Sequence, residues 1–243
     1  MSNHFQTQIG FGTGNLGYMI GPKELAPLTE EQLSGLIDCF TNNKQMQSYP
    51  GRAFALDLDP AMEIVKPIID KELGEGTWER DGGNFFLTST GYRVHADTGK
   101  QGPENVWQTF VFPLAMTFKE NVTPQLDKNK FIVLNQTWDG DAAFFLRGSP
   151  DEPNEYNIVV KDYAAVGNIE HHNMDGWLLE NCPHLNPSNF YGLTVDKMFV
   201  WKPGVPITFP RNRLHVNTPF PRYGIATKLG LSVFTSMETQ CLI

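Results

Sequence analysis

TWERDGGNFFLTSTGYRVHAD, residues Thr77 to Asp97, has the texture that decides the fold: short aromatic and β-branched runs broken by Gly, Asn and Asp. Such runs suit pleated, half-buried surfaces, and the breakers suit the turns between them. Downstream the same vocabulary returns in NVWQTFVFPLAMTF (105–118), KFIVLNQTWDGDAAFFLRG (130–148), LTVDKMFVWKPGVPITFPRNRLHVNTPF (193–220) and YGIATKLGLSVFTS (223–236). Upstream the pattern is helical. PLTEEQLSGLIDCF places Thr29 as an N-cap before Leu33, Leu36, Ile37 and Phe40 at helical spacing. DPAMEIVKPIIDKEL, Asp59 to Leu73, predicts a second helix with a kink or boundary at Pro67. The expected fold class is mainly β with N-terminal helices, a barrel or sandwich under a helical cap. It is one domain over 1–243, with helical support in 1–75 and a β core in 76–236. Residues 151–187, rich in Asp, Glu, Asn and Pro, are expected to form an insertion.

Composition narrows the function classes. A chain of 243 residues with 40% hydrophobic content buries a sizeable core. Its net charge is 19 − 27 = −8, so it lacks the global basic field that draws in nucleic acid. The three cysteines, Cys39, Cys182 and Cys241, have no C-x-x-C spacing and predict reduced thiols in the cytoplasm rather than a disulfide framework. No basic start precedes an apolar run at the N-terminus, and no segment approaches ~18 uncharged apolar residues, so neither export nor membrane insertion is expected.

The polar residues within the β segments carry the chemistry. Along an extended strand, side chains at i and i+2 share a face, so His95 and Asp97 present an imidazole and a carboxylate to one point while Ala96 turns away. His215, in RNRLHVNTPF, is a candidate third ligand. Two His and one carboxylate leave one side of a metal open, the pattern of non-heme Fe(II) oxygenases. On the following strand Lys228, Gly230 and Ser232 share one face, and Leu229, Leu231 and Val233 the other. A Lys in an apolar strand needs an anionic partner if buried.

Together, H-A-D at 95–97, a distal His at 215 and a basic residue followed by Ser on the next strand resemble the Fe(II)- and 2-oxoglutarate-dependent oxygenases of the double-stranded β-helix (jelly-roll, cupin-like) fold. The resemblance is to prolyl-hydroxylase-like or phytanoyl-CoA-hydroxylase-like members. The match covers roughly Thr77 to Ser236. The resemblance implies that His95, Asp97 and His215 bind Fe(II), that Lys228 pairs with the distal carboxylate of 2-oxoglutarate, and that Ser232 donates to the same carboxylate. Many members carry Arg where this chain has Lys228, and Arg222 is the rival cation. The activity implied is a dioxygenase consuming molecular oxygen, releasing succinate and carbon dioxide and hydroxylating a small molecule, amino acid or peptide side chain. A carboxylate at position 97 leaves no coordination position for halide, so hydroxylation is implied over halogenation.

Other readings stay open. A cupin-like metalloprotein would use the same ligands without 2-oxoglutarate, and a non-catalytic β-barrel binding module would hold its histidines as structure. His171, His172, Cys182 and His184 lack the spacing of a closed zinc site and read as loop residues, or as part of a lid. Arg93, Asn135, Gln136 and Trp138 are candidates to line a pocket. GFGTGNLG near the N-terminus has no preceding strand and reads as a flexible segment rather than a phosphate loop.

Overall fold

The computed structural model describes residues 19–91, 94–97, 106–137, 176–184 and 193–237. The glycine-rich GFGTGNLG segment, His171, His172, Arg93, Trp138, Cys241 and the side chain of Gln136 lie outside the described set.

The chain runs β1 (Lys23–Glu24), α1 (Glu30–Thr41), β2 (Met46–Tyr49), β3 (Arg52–Ala55), α2 (Asp59–Leu73), β4 (Trp78–Thr88), β5 (Val106–Phe118), β6 (Lys130–Thr137), α3 (Gly176–Asn181), β7 (Val195–Val200), β8 (Ile207–Pro210), β9 (Arg213–Asn217) and β10 (Ile225–Met237). Two antiparallel sheets result: a seven-stranded sheet in the order β1-β8-β5-β10-β4-β3-β2 and a three-stranded sheet in the order β7-β6-β9. Residues 94–97 extend the smaller sheet through a bridge between His95 and His215. From β4 onward the described strands alternate between the sheets one by one, except that β6 and β7 both lie in the small sheet, so that β4, β10, β5 and β8 face 94–97, β9, β6 and β7. That winding is a double-stranded β-helix, or jelly roll.

The helices form where the sequence dictates. Thr29 caps α1 and, with Gln32, closes a reciprocal capping box; Leu36 on its inner face is buried. α2 runs unbroken from Asp59 to Leu73, so Pro67 is neither a helix start nor a stop; Ala61, Val65, Ile69 and Leu73 form its buried stripe. Trp78 at the start of β4 ties to α2 by donating from Nε1 to Asp70 Oδ1 at 2.9 Å. The N-terminal third also holds a hairpin not expected from the sequence. β2 and β3 turn at Pro50-Gly51 and pair onto β4, widening the large sheet.

Three clusters of buried side chains divide the interior. On the outer face of the large sheet, Leu36, Val65 and Ile69 of the helices meet Phe85, Phe110, Phe112, Leu229, Leu231 and Val233. Between the sheets lie Val111, Phe131, Val133, Phe199, Trp201, Ile207 and Phe209. Outside the small sheet, Val94, Ala96, Leu214 and Val216 pack with Leu178 and Cys182 at α3. Gly83 is required where β4 crosses β10: its φ is +127°, and a Cβ there would sit 2.2 Å from the Ser232 carbonyl oxygen. β6 and β7 pair in the small sheet, and the segment expected to be an insertion, 151–187, lies outside the described residues except for 176–184. Among the described residues no helix is long and apolar enough to cross a membrane.

Candidate metal centre

The backbone brings His95 and His215 face to face. Each accepts from the other's amide, His95 N to His215 O at 3.1 Å and His215 N to His95 O at 2.8 Å. Directly opposed residues of an antiparallel pair project to the same side. The two rings therefore meet with centroids 4.1 Å apart. Period-two alternation adds Asp97 to that face and sends Ala96 into the outer apolar cluster, as the spacing predicted. His95 Nε2 lies 3.6 Å from Asp97 Oδ1, and His215 Nε2 lies 3.7 Å from Asp97 Oδ2. One donor atom from each of the three falls within 4.8 Å of the others. Among the described residues this is the one such group of three.

Neighbouring groups orient the donors. His215 Nδ1 is 3.1 Å from the Arg213 carbonyl, which only accepts, so the proton sits on Nδ1 and the Nε2 lone pair points to the cluster. Burial lowers the His215 pKa to about 4, opposed by that hydrogen bond, so the ring is neutral near pH 7. Phe131 stacks on His215 at 5.3 Å and Phe209 flanks it at 4.8 Å. Asp97 Oδ2 accepts from Thr109 Oγ1 at 2.9 Å, leaving Oδ1 for another partner. Burial raises the Asp97 pKa, countered by His95, by the Thr109 hydroxyl and by Arg211. Arg211 grips the Asp97 backbone, donating from Nε to its carbonyl at 2.8 Å and accepting from its amide at 3.2 Å. Asp81 pairs with the Arg211 guanidinium from β4.

This donor set fits a divalent first-row ion. Two imidazoles and one carboxylate on one side leave other positions free for exogenous ligands. A cation would offset the desolvation cost that raises the Asp97 carboxyl.

Lys228 lies on the inward face of β10, 2% exposed. Its Nζ sits 4.5 Å from the Phe220 ring centroid and 4.9 Å from that of Trp201. Among the described residues it has no hydrogen-bond partner, and burial lowers its pKa well below the usual lysine range. The ring contacts His215–Phe131, Phe131–Trp201 at 6.4 Å and Trp201–Lys228 make a continuous aromatic wall from the histidines to the amine. Gly230 makes room for that wall, since a Cβ there would lie 2.5 Å from Phe86 Cζ and 3.0 Å from Trp201 Cη2.

The remaining candidates separate. Arg222 is exposed on the 3-10 turn Phe220–Tyr223, whereas Lys228 is inside. Ser232 is half-buried on the same face as Lys228 but four residues along, about 13 Å by strand rise. It is displaced toward the metal end, where Phe234 opposes Thr109. Asn135 is exposed and bonds to Thr194. Cys182 is buried in the outer cluster, which pushes its thiol up to about 12, and it stands apart from the His-Asp-His group. His184 packs beside Gly91, its ring within 3.0 Å of where a Cβ on Gly91 would sit. Thr109, Arg211, Asp81 and Trp201 escaped the sequence reading. Only period-two alternation in QTFVF marked Thr109 as a possible inward residue.

The fold and site define the class: a jelly roll carrying a His-Asp-His group at one end of its interior and a buried lysine farther in. No protein-family model matches the chain, and no curated protein matches it. Solved structures of similar fold include an oxidoreductase of Burkholderia pseudomallei described as of the 2OG-Fe(II) oxygenase family, with 9% identity, TM-score 0.48 and coverage of 89% of this chain and 84% of that one. Another is a prolyl-4-hydroxylase of Pseudomonas putida, at 13% identity and TM-score 0.42, covering 89% and 92%. A third is HygX of Streptomyces hygroscopicus with nickel and 2-oxoglutarate bound, at 10% identity and TM-score 0.48, covering 90% and 84%.

Proposed function

We propose that this chain is an Fe(II)- and 2-oxoglutarate-dependent dioxygenase that hydroxylates a small molecule, amino acid or peptide side chain. The observation that carries the reading is the pairing, within one jelly-roll interior, of an open His-Asp-His group with the buried amine of Lys228, which lacks an anionic partner among the described residues. A buried cation at that position is costly unless an anion joins it. A dicarboxylate bound to the metal end at one terminus supplies that anion at the other.

His95, Asp97 and His215 would hold Fe(II), with the His215 tautomer set by Arg213 and the carboxylate set by Thr109 and Arg211. Bound there with 2-oxoglutarate and molecular oxygen, Fe(II) would supply oxidative decarboxylation to succinate and carbon dioxide together with oxidation of a substrate C–H bond. Lys228 would bind the distal carboxylate, and Phe131 and Trp201 would line its path and exclude water. Ser232, nearer the metal end, would face the co-substrate along its length. The described cysteines, Cys39 and Cys182, are free thiols, which supports the cytoplasm as the compartment.

The test is anaerobic titration with Fe(II) and then 2-oxoglutarate, following the weak visible charge-transfer band of a chelated 2-oxo acid. The band is expected in the wild type and absent in His215→Ala. Metal binding without 2-oxoglutarate binding would move the protein to the cupin-like class. No metal binding at all would make it a binding module.

A further inference from the structure

Lys228 is not alone in lacking a partner. The indole Nε1 of Trp201 is also a buried donor without an acceptor among the described residues. A buried N–H left unpaired is unfavourable, so two such donors in one apolar interior call for a shared acceptor. The two groups are neighbours, with Lys228 Nζ 4.9 Å from the Trp201 ring centroid.

Trp201 is also held rigidly. Its amide donates to the Asn129 carbonyl at 2.8 Å, and its ring packs against Phe86 at 5.8 Å and Phe131 at 6.4 Å. The absent Cβ of Gly230 lets the far edge of the ring approach β10. A donor fixed in this way before its acceptor arrives loses little entropy on binding.

We infer that Trp201 is a specificity-determining residue for the co-substrate, its indole N–H and the Lys228 ammonium each binding one oxygen of the same remote carboxylate. The inference rests on the 2-oxoglutarate reading above and deepens it. A lysine is a point charge that offers no planar fork. Here the second prong of a bidentate clamp comes from a different strand end. The pocket therefore selects 2-oxo acids with a remote carboxylate over those without one.

The test uses Trp201→Phe, which keeps an aromatic ring and removes the N–H. Affinities for 2-oxoglutarate and for 2-oxobutanoate, which lacks the remote carboxylate, are measured calorimetrically on the full chain loaded with Mn(II). The variant is expected to bind 2-oxoglutarate at least about tenfold more weakly, as for a hydrogen bond to a charged acceptor. Its affinities for Mn(II) and for 2-oxobutanoate are expected to be unchanged. Equal loss for both acids would make Trp201 a packing residue and overturn the inference, as would no loss for either.

A second measurement needs no folded variant at that position. In the Zn(II)-loaded wild type, one of the five indole N–H resonances should move downfield on adding 2-oxoglutarate, and that response should vanish in Lys228→Met. No indole response in a protein that does bind 2-oxoglutarate overturns the role of Trp201 alone. Failure of the metal-loaded wild type to bind 2-oxoglutarate overturns the parent reading as well.

Discussion

The two faces of β10 face two different solvents. Outward, Leu229, Leu231 and Val233 pack with Phe85, Phe110 and Phe112 beneath α1 and α2, an apolar layer held by area alone. Inward, Lys228, Gly230 and Ser232 look into the space between the sheets, where aromatic rings surround an unpaired amine and lead to the His-Asp-His group. Adjacent residues on one strand thus serve opposite ends. The outer face maximises stability, while the inner face retains groups whose burial is unfavourable without a counter-charge.

The largest effect should fall on the outer face. Leu231→Ala removes a fully buried side chain and is expected to cost about 2–5 kcal/mol in denaturant unfolding, with Mn(II) affinity retained in the folded fraction. A smaller loss would mean that the helical layer collapses readily onto the gap.

Next is the pH response of the inner face in the metal-free protein. His215 titrates near 4 when folded and near 6.5 when unfolded, so the unfolded chain takes up the proton first as pH falls. The His215 contribution is therefore intact above pH 6.5 and lost toward pH 4, by about 3 kcal/mol in all. Asp97, whose pKa is raised, works in the opposite direction at the acid end. The stability of the wild type relative to His215→Gln, followed from pH 7 to 4, should fall accordingly. A flat difference would place His215 in contact with water.

Lys228→Met reverses the sign seen on the outer face. It exchanges a buried unpaired amine for a side chain of similar length, and the metal-free protein should gain about 1–2 kcal/mol while binding of 2-oxoglutarate is lost. Destabilisation instead would make the two faces alike and identify Lys228 as a structural residue.

The smallest effect belongs to the edge of the outer layer. Thr29→Ala deletes the capping box of α1 and should cost about 1 kcal/mol in thermal unfolding, with metal and 2-oxo acid affinities unmoved. A change in either affinity would couple the helical layer to the pocket.

Much of this organisation was legible along the chain. Thr29, Gln32 and the apolar spacing after them specify α1 locally, because a helix satisfies its own backbone and needs only a cap and a stripe. The alternation in HAD and in KLGLS assigned faces correctly, since successive strand side chains must point to opposite sides. The structure adds to the local reading at two places. Pro67 was tolerated within α2, and the Pro50-Gly51 turn, a readable signal, closed a hairpin that pairs onto β4.

The sequence by itself determined which residues could act as ligands, because donor chemistry and period-two alternation are properties of a few consecutive residues. Only the tertiary structure decided which of them meet. The rung that opposes His95 to His215 spans 215 − 95 = 120 positions, and the grip of Arg211 on Asp97 spans 114. It also put Lys228 inside and Arg222 at the surface, and it set Trp201 beside Lys228. Both outcomes depend on which strands lie across from one another between the sheets, and nothing local to either residue encodes that.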